Sequence, residues 1–296
     1  MGSLRSDENR KRLAVNKTHK LFIAGAFPRS ESGRSYEVFD SHHGFLANMA
    51  KASRKDARDA AVAARNAQRG WANATAYNRG QILYRMAELM EGRRSQFISE
   101  IRQCEGLNNH DAEVVVSASI DRLVWYAGWS DKLAQVIGNA NAVAGPYFNF
   151  SLPEPTGVVA TVAPESSSLL GLISVIAPTI VASNTIIVIA SETRPVPAIA
   201  LAEVIATSDV PAGVVNVLTG SPAEIMPWLA SHADVNGIDL SGVADAQLAK
   251  ELETEAAGTI KRIRRPSPDH DWFSDPGLSA IRSFLEIKTV WHPQGT

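Results

Sequence analysis

The chain's one thiol, Cys104, is the first group to weigh for chemistry. A thiolate attacks carbonyls and oxidants where a cation or a helix N-terminus lowers its pKa. Cys104 lies in a run of helical periodicity, where a lone cysteine more often fills core space. A single cysteine also rules out an intrachain disulfide and a four-cysteine zinc site. The serine run Ser166-Ser167-Ser168 is a second nucleophile candidate. No histidine lies near it in sequence, and no Gly-x-Ser-x-Gly elbow surrounds it. His42-His43 offers two imidazoles to a metal, but adjacent histidines do not share a helix face and no acidic cluster supports them. The pair therefore reads as a surface loop. Lys261-Arg262-Ile263-Arg264-Arg265 lacks the interleaved aromatics of a nucleic-acid surface and reads as a solvated or subunit-contacting strand. Trp125, Tyr126 and Trp129 read as core or interface packing rather than a binding platform.

The elements that position these groups follow from composition and period. The chain has 296 residues, 45% of them hydrophobic and 20% charged, with a formal net charge of -2. Such a chain is long enough for a substantial core, and its charge gives no bias toward nucleic acid or anionic membrane. The N-terminus lacks the apolar stretch of a signal peptide. Leu169–Ala182 is too short and too interrupted to cross a bilayer. These features predict a cytoplasmic protein without a membrane span.

Residues 1–19 read as a flexible arm. Leu21–Phe27 and Ser35–Phe39 read as a hairpin. Ser53-Arg54-Lys55-Asp56 has the form of a capping box and opens an alanine-rich helix to Trp71. Further helices are expected over about 76–92, from near Gln96, and over 108–137. Residues 147–152 read as an extended strand. From 156 to 242, β-branched runs alternate with helices. The strands are Gly157–Ala163, Thr185–Ala190, Val214–Leu218 and Gly237–Leu240. The helices are Ser166–Ala182, Val196–Thr207 and Ala223–His232. That alternation predicts an α/β fold built of parallel βαβ units, because a parallel strand needs a crossover to return. Ligands in such sheets bind at the carboxyl ends of the strands. After a helix to about Ala256 come a basic strand (Thr259–Arg265), a Pro/Asp/Gly loop and a last strand at Glu286–His292.

Several collinear segments resemble the aldehyde dehydrogenase superfamily. Lys20-Leu21-Phe22-Ile23-Ala24-Gly25 resembles its opening strand. Glu154-Pro155-Thr156-Gly157-Val158-Val159 resembles its Glu-Pro-x-Gly-Val-Val segment. Pro211–Gly220 is close to its Pro-x-Gly-Val-x-Asn-Val-x-x-Gly segment, and His232-Ala233-Asp234-Val235 follows as its His-Pro-Asp-Val does. Lys288–Pro293 resembles the family's closing oligomerisation strand. The resemblance implies a Rossmann-type cofactor domain at 20–256, preceded within it by helices and carrying a protruding strand at about 145–155. It also implies an oligomerisation tail at 257–296.

The departures from the family pattern shape the functional expectation. No Glu-Leu-Gly-Gly motif is present, no cysteine follows Cys104, and the residues after Gly242 are too few for a second α/β domain. The sequence therefore predicts that the catalytic domain is absent and that no catalytic residue is present. The family's Pro-Trp-Asn motif falls on Pro164-Glu165-Ser166, and a serine hydroxyl is a shorter donor than an asparagine amide. Its Lys-Pro-Ser-Glu falls on Ile189-Ala190-Ser191-Glu192. Isoleucine cannot bond a ribose hydroxyl, whereas Glu192 can, or can cap the helix that follows. The phosphate turn falls on Ser241-Gly242 and has lost its later glycine, on which close approach of a pyrophosphate depends. The remnant cofactor positions are thus Ser191, Glu192, Gly220, Ser241 and Gly242, with NAD or NADP binding not expected to survive strongly.

The chain resembles the degenerate second half of two-module aldehyde dehydrogenases. The expectation is a non-catalytic subunit forming a homo-oligomer, or a hetero-oligomer with a full-length aldehyde dehydrogenase, and no complex with nucleic acid. Two other readings are an NAD(P)-binding module acting with a partner's catalytic cysteine, and an unrelated enzyme working through Ser166–Ser168.

Overall fold

In this computed structural model, residues 16–267 and 269–295 are described. Most of the expected N-terminal arm lies outside them. Strand β1 (Thr18–His19) pairs in parallel with β3 (Phe45–Ala50), and β3 pairs antiparallel with β2 (Ser35–Phe39). The expected hairpin between 21–27 and 35–39 is corrected: the hairpin is β2–β3. Its turn is held by Asp40, whose Oδ1 accepts from the backbone N–H of His42 and of Gly44, each at 2.8 Å. Residues 21–27 instead make isolated antiparallel bridges, Phe22 to Val217 and Ile23 to Ala26. Phe-Leu-Ala-Asn-Met-Ala hides β3 from pattern reading, because it lacks β-branched residues and a clean alternation.

Helix α1 (Arg54–Asn73) begins with the expected capping box. Ser53 Oγ accepts from the Lys55 and Asp56 amides, and the Asp56 carboxylate accepts from the Ser53 amide. Helices α2 (Ala76–Gly92), α3 (Arg94–Glu105) and α4 (Asn109–Ala127) follow. The long helix expected over 108–137 is broken. Gly128–Lys132 turns the chain, and a short α5 (Leu133–Ile137) resumes. Strands β4 (Asn139–Asn141) and β5 (Tyr147–Pro155) then project as an antiparallel pair.

The central sheet collects β6 (Val158–Val162), β7 (Thr185–Ile189), β8 (Val215–Leu218), β9 (Gly237–Asp239) and β10 (Arg262–Arg264). Its order is β10-β9-β6-β7-β8, and every pairing is parallel. The strands β6 to β9 are buried throughout, as β-branched runs covered on both faces must be. The crossovers are α6 (Leu170–Val181), α7 (Val196–Ile205), α8 (Pro222–Ser231) and α9 (Ala246–Ala257). Every residue of α6 is buried, because α4 and the sheet sandwich it. On the opposite side, α1 lays the small residues Ala57, Ala60, Ala61 and Ala64 against the sheet. Small side chains permit that close approach. Trp71 then spans the layers: its indole N–H donates to the Ile180 carbonyl at 2.9 Å.

A short α10 (Ser279–Arg282) leads into β11 (Leu285–Pro293), which pairs antiparallel with all of β5. The order β11-β5-β4 makes a separate three-stranded sheet. The division expected after residue 256 does not coincide with the sheet, since β10 joins the parallel sheet beside β9. The basic run is not simply solvated either. Lys261 Nζ donates to the His232 carbonyl at 2.8 Å, while Arg264 pairs with Asp239 and Arg265 with Glu253. Among the described residues, no helix is long and apolar enough to cross a membrane.

Candidate functional site

All five remnant positions lie in the loops that leave the carboxyl ends of β7, β8 and β9. The fold therefore brings them to one edge of the parallel sheet, where ligands of such sheets bind. What each side chain does there differs from what the sequence suggests.

The loop after β7 is organised by Glu165, which the chain places just beyond β6. Its Oε2 accepts from Ser191 Oγ at 2.7 Å, from Thr193 Oγ1 at 2.7 Å and from the Thr193 amide at 3.4 Å. Its Oε1 accepts from the Glu192 amide. Ser191 Oγ in turn accepts from the Arg194 amide at 2.9 Å. The hydroxyl proton of Ser191 is thereby aimed at Glu165. Glu192 contributes its backbone to this cluster, while its carboxylate faces an adjoining cleft. Ile189, aligned with the family's lysine, is fully buried in the sheet core.

Ser241 is engaged in a similar way. Its amide donates to Asp239 Oδ1 at 3.0 Å, its hydroxyl donates to the same oxygen, and Arg264 Nη1 reaches Ser241 Oγ at 2.6 Å. The two glycines are spent on protein contacts. A Cβ at Gly242 would collide with the Ala163 carbonyl oxygen, so only glycine lets this turn cross the end of β6. Gly220 has φ +129, and a Cβ there would approach the Ala52 amide to 3.3 Å. Residues 269–278 fold in beside this edge. Arg122 Nη2 donates to the carbonyls of Trp272, at 2.8 Å, and Ser274, at 3.1 Å.

The hydroxyl and amide donors of Ser191, Glu192 and Thr193 meet an internal carboxylate, and Ser241 meets Asp239 and Arg264.

The adjoining cleft, of about 740 Å³, is lined by β2, the end of α3 and the loop after β7, and includes Tyr36, Cys104, Glu105, Glu192 and Arg194. Cys104 is only 5% exposed. Burial, followed by the Glu100 and Glu105 carboxylates, pushes its thiol up to about 12, against a lowering by Arg194. At neutral pH it is a thiol, not a nucleophile. Tyr36 Oη is buried, and burial with the Glu192 and Glu165 carboxylates raises its pKa, against a lowering by the Gly220 backbone.

The remaining candidates have structural work. Ser167 Oγ accepts from the Gly171 amide at 2.9 Å, and Ser168 donates through both amide and hydroxyl to Glu105, at 2.8 and 2.6 Å. Ser166 is exposed. His42 and His43 lie on the exposed β2–β3 turn, and no group of three metal-ligating side chains occurs among the described residues. Tyr126 is buried, with Trp125 edge-on to it at 4.9 Å and Trp129 at 5.6 Å from Trp125. The organising role of Glu165 was not legible. The one available signal was an acid at the position aligned with the family's tryptophan, with loop donors at 191–193 to receive it.

The profile of the aldehyde dehydrogenase family matches residues 27–264. The cytosolic 10-formyltetrahydrofolate dehydrogenase of Pongo abelii is 32% identical over 270 residues, covering 85% of this chain and 29% of that protein. Retinal dehydrogenase 2 of Gallus gallus is 31% identical over 255 residues, covering 82% and 47%. Among solved structures, the NAD+ complex of aldehyde dehydrogenase from Bacillus cereus superposes with a TM-score of 0.79 at 25% identity, covering 83% of this chain and 50% of that one. HpcC from Thermus thermophilus gives 0.79 at 26%, covering 83% and 47%. The chain spans half or less of the length of each of these proteins.

Proposed function

The chain belongs to the aldehyde dehydrogenase family, and from that premise we propose that it serves as a non-catalytic subunit, assembling with itself or with a full-length aldehyde dehydrogenase through the β4–β5–β11 sheet. The observation that carries this reading is the surface of that sheet. Ile287 is 53% exposed and Trp291 58%, with Tyr147 exposed on the same face and Phe148 and Leu152 exposed on the other. Tyr147 and Trp291 stack edge to face at 5.8 Å, which holds an aromatic surface outward. The outer backbone edge of β11 has no partner strand among the described residues. A long strand edge flanked by apolar side chains is a template for pairing with another chain.

The non-catalytic part rests on chemistry. The sole cysteine is buried and protonated, and the serines at the end of β6 have no histidine near them in sequence. The likeness to a solved NAD+ complex favours a second reading, an NAD(P)-binding module that works with a partner's thiolate. The occupied donors around Glu165 weigh against it.

Sedimentation of the purified chain, with and without an aldehyde dehydrogenase from the same cells, tests the first reading. A dimer or higher assembly, or recovery with an active dehydrogenase, is expected, and Ile287→Lys with Trp291→Lys should disperse it. A monomer across the accessible concentration range that recovers no such partner ends the proposal.

A further inference from the structure

The Glu165 cluster has the chemistry of a bound anion. Both carboxylate oxygens meet donors: two hydroxyls and an amide at Oε2, and an amide at Oε1. The Ser191 oxygen also accepts from the Arg194 amide while its hydroxyl donates to Glu165. The donors come from three successive residues of one loop, not from the carboxylate's own segment. Arg194 also reaches the Glu165 carbonyl at 3.3 Å, which ties the two loops together. Convergent hydroxyl and amide donors at the carboxyl end of a parallel strand are equally suited to the oxygens of phosphate.

We propose that the loop after β7 is an anion cradle which the chain fills with its own Glu165, and that this side chain excludes phosphate-bearing nucleotides from the carboxyl edge of the sheet. The donors of this loop persist, and the chain's own carboxylate occupies them. The inference is independent of how the chain assembles: an obligate oligomer and a monomer would carry the same cradle.

The test uses the whole chain with Glu165→Ala and Glu165→Gln variants, and inorganic phosphate, formate, adenosine and NAD+ as probes. Glu165→Ala is expected to melt at lower temperature than wild type. Phosphate and formate should restore part of the loss with saturation, since a ligand that binds only the folded state stabilises it. Adenosine, which carries no anion, should restore nothing. Calorimetry should show NAD+ binding at least tenfold more tightly to Glu165→Ala than to wild type. Hydrogen exchange at the Glu192 and Thr193 amides should quicken at least tenfold in the variant and slow again with phosphate. If Glu165→Ala does not fold, phosphate or formate added during refolding should recover it. Wild type that binds phosphate or NAD+ as tightly as Glu165→Ala overturns the proposal. So does a Glu165→Ala protein indifferent to both anions, or one that neither anion rescues while the isosteric Glu165→Gln keeps wild-type stability and amide protection.

Discussion

Arg264 donates to the Asp239 carboxylate at 2.8 Å, and the two side chains are only 12% and 2% exposed. The pair joins the ends of the edge strand β10 and its neighbour β9, and Ser241 completes it. Removing one partner of a buried pair strands the other charge, at a cost of about 3–5 kcal/mol. Arg264→Met should therefore lower unfolding stability in urea by about that much. The double variant Arg264→Met with Asp239→Asn should recover a large share. A loss below about 1 kcal/mol, the scale of an exposed pair, would show that water reaches the site.

Glu100 gives a pH signature. Burial raises its pKa to about 7; Gln96, Lys17 and Arg93 oppose the shift and Glu203 adds to it. One of its oxygens, Oε2, is buried without a partner among the described residues. In the unfolded chain this carboxyl ionises near pH 4.5, below its folded value. The folded state thus keeps the proton longer, and stability falls as pH rises from about 4.5 through about 7 before levelling. Glu100→Gln should stabilise the protein at pH 8 by roughly 2–3 kcal/mol. The gain should shrink toward zero near pH 5. Denaturant unfolding at both pH values checks this, and an equal effect at the two would sink it.

Cys104 should resist thiol reagents in the folded protein. With its pKa pushed up to about 12, the thiolate fraction at pH 8 is on the order of a thousandfold below that of a free cysteine. Labelling with a chromogenic disulfide should be slower by at least that factor than in denaturant. Rapid native labelling would place the thiol in solvent and reopen it as a reactive group.

Trp71→Phe removes the indole donor to the Ile180 carbonyl and leaves that buried oxygen with the Ser183 amide, at 3.0 Å, alone. The expected loss is about 1–3 kcal/mol, read from thermal or denaturant unfolding. An unchanged midpoint would mean that the Ser183 amide alone satisfies the carbonyl.

The parts of this fold that were legible in sequence are those whose local chemistry and burial agree. β7 is Thr-Ile-Ile-Val-Ile, buried at every position, so no tertiary context competes with its β-branched signal. The α1 capping box is likewise self-contained, with Ser53 and Asp56 serving each other. β3 failed because its pairing with β2, rather than its own composition, makes it a strand. The break after α4 failed for a similar reason. Gly80 of α2 packs on the Gly128–Lys132 turn, where a Cβ at Gly80 would collide with Ser130 Oγ, and nothing in residues 108–137 alone records that neighbour. At the site, spacing located Ser191, Glu192, Gly220, Ser241 and Gly242 on one edge, but not what engages them. Glu165 lies 26 residues from Ser191 along the chain, and a lone acid in a turn carries no periodicity that announces its partners.

The closing strand has a consequence for biosynthesis. Ser151 of β5 meets Thr289 of β11 across 138 residues of chain. At translation rates of about 5–20 residues per second, β5 leaves the ribosome roughly 7 to 28 seconds before its mate is made. Throughout that interval the edge of β5 that β11 later covers, with Phe148, Phe150 and Leu152 along the strand, faces every other nascent chain on the same message. The sheet offered here for assembly is thus also the stretch most exposed to premature coupling between polysomal neighbours.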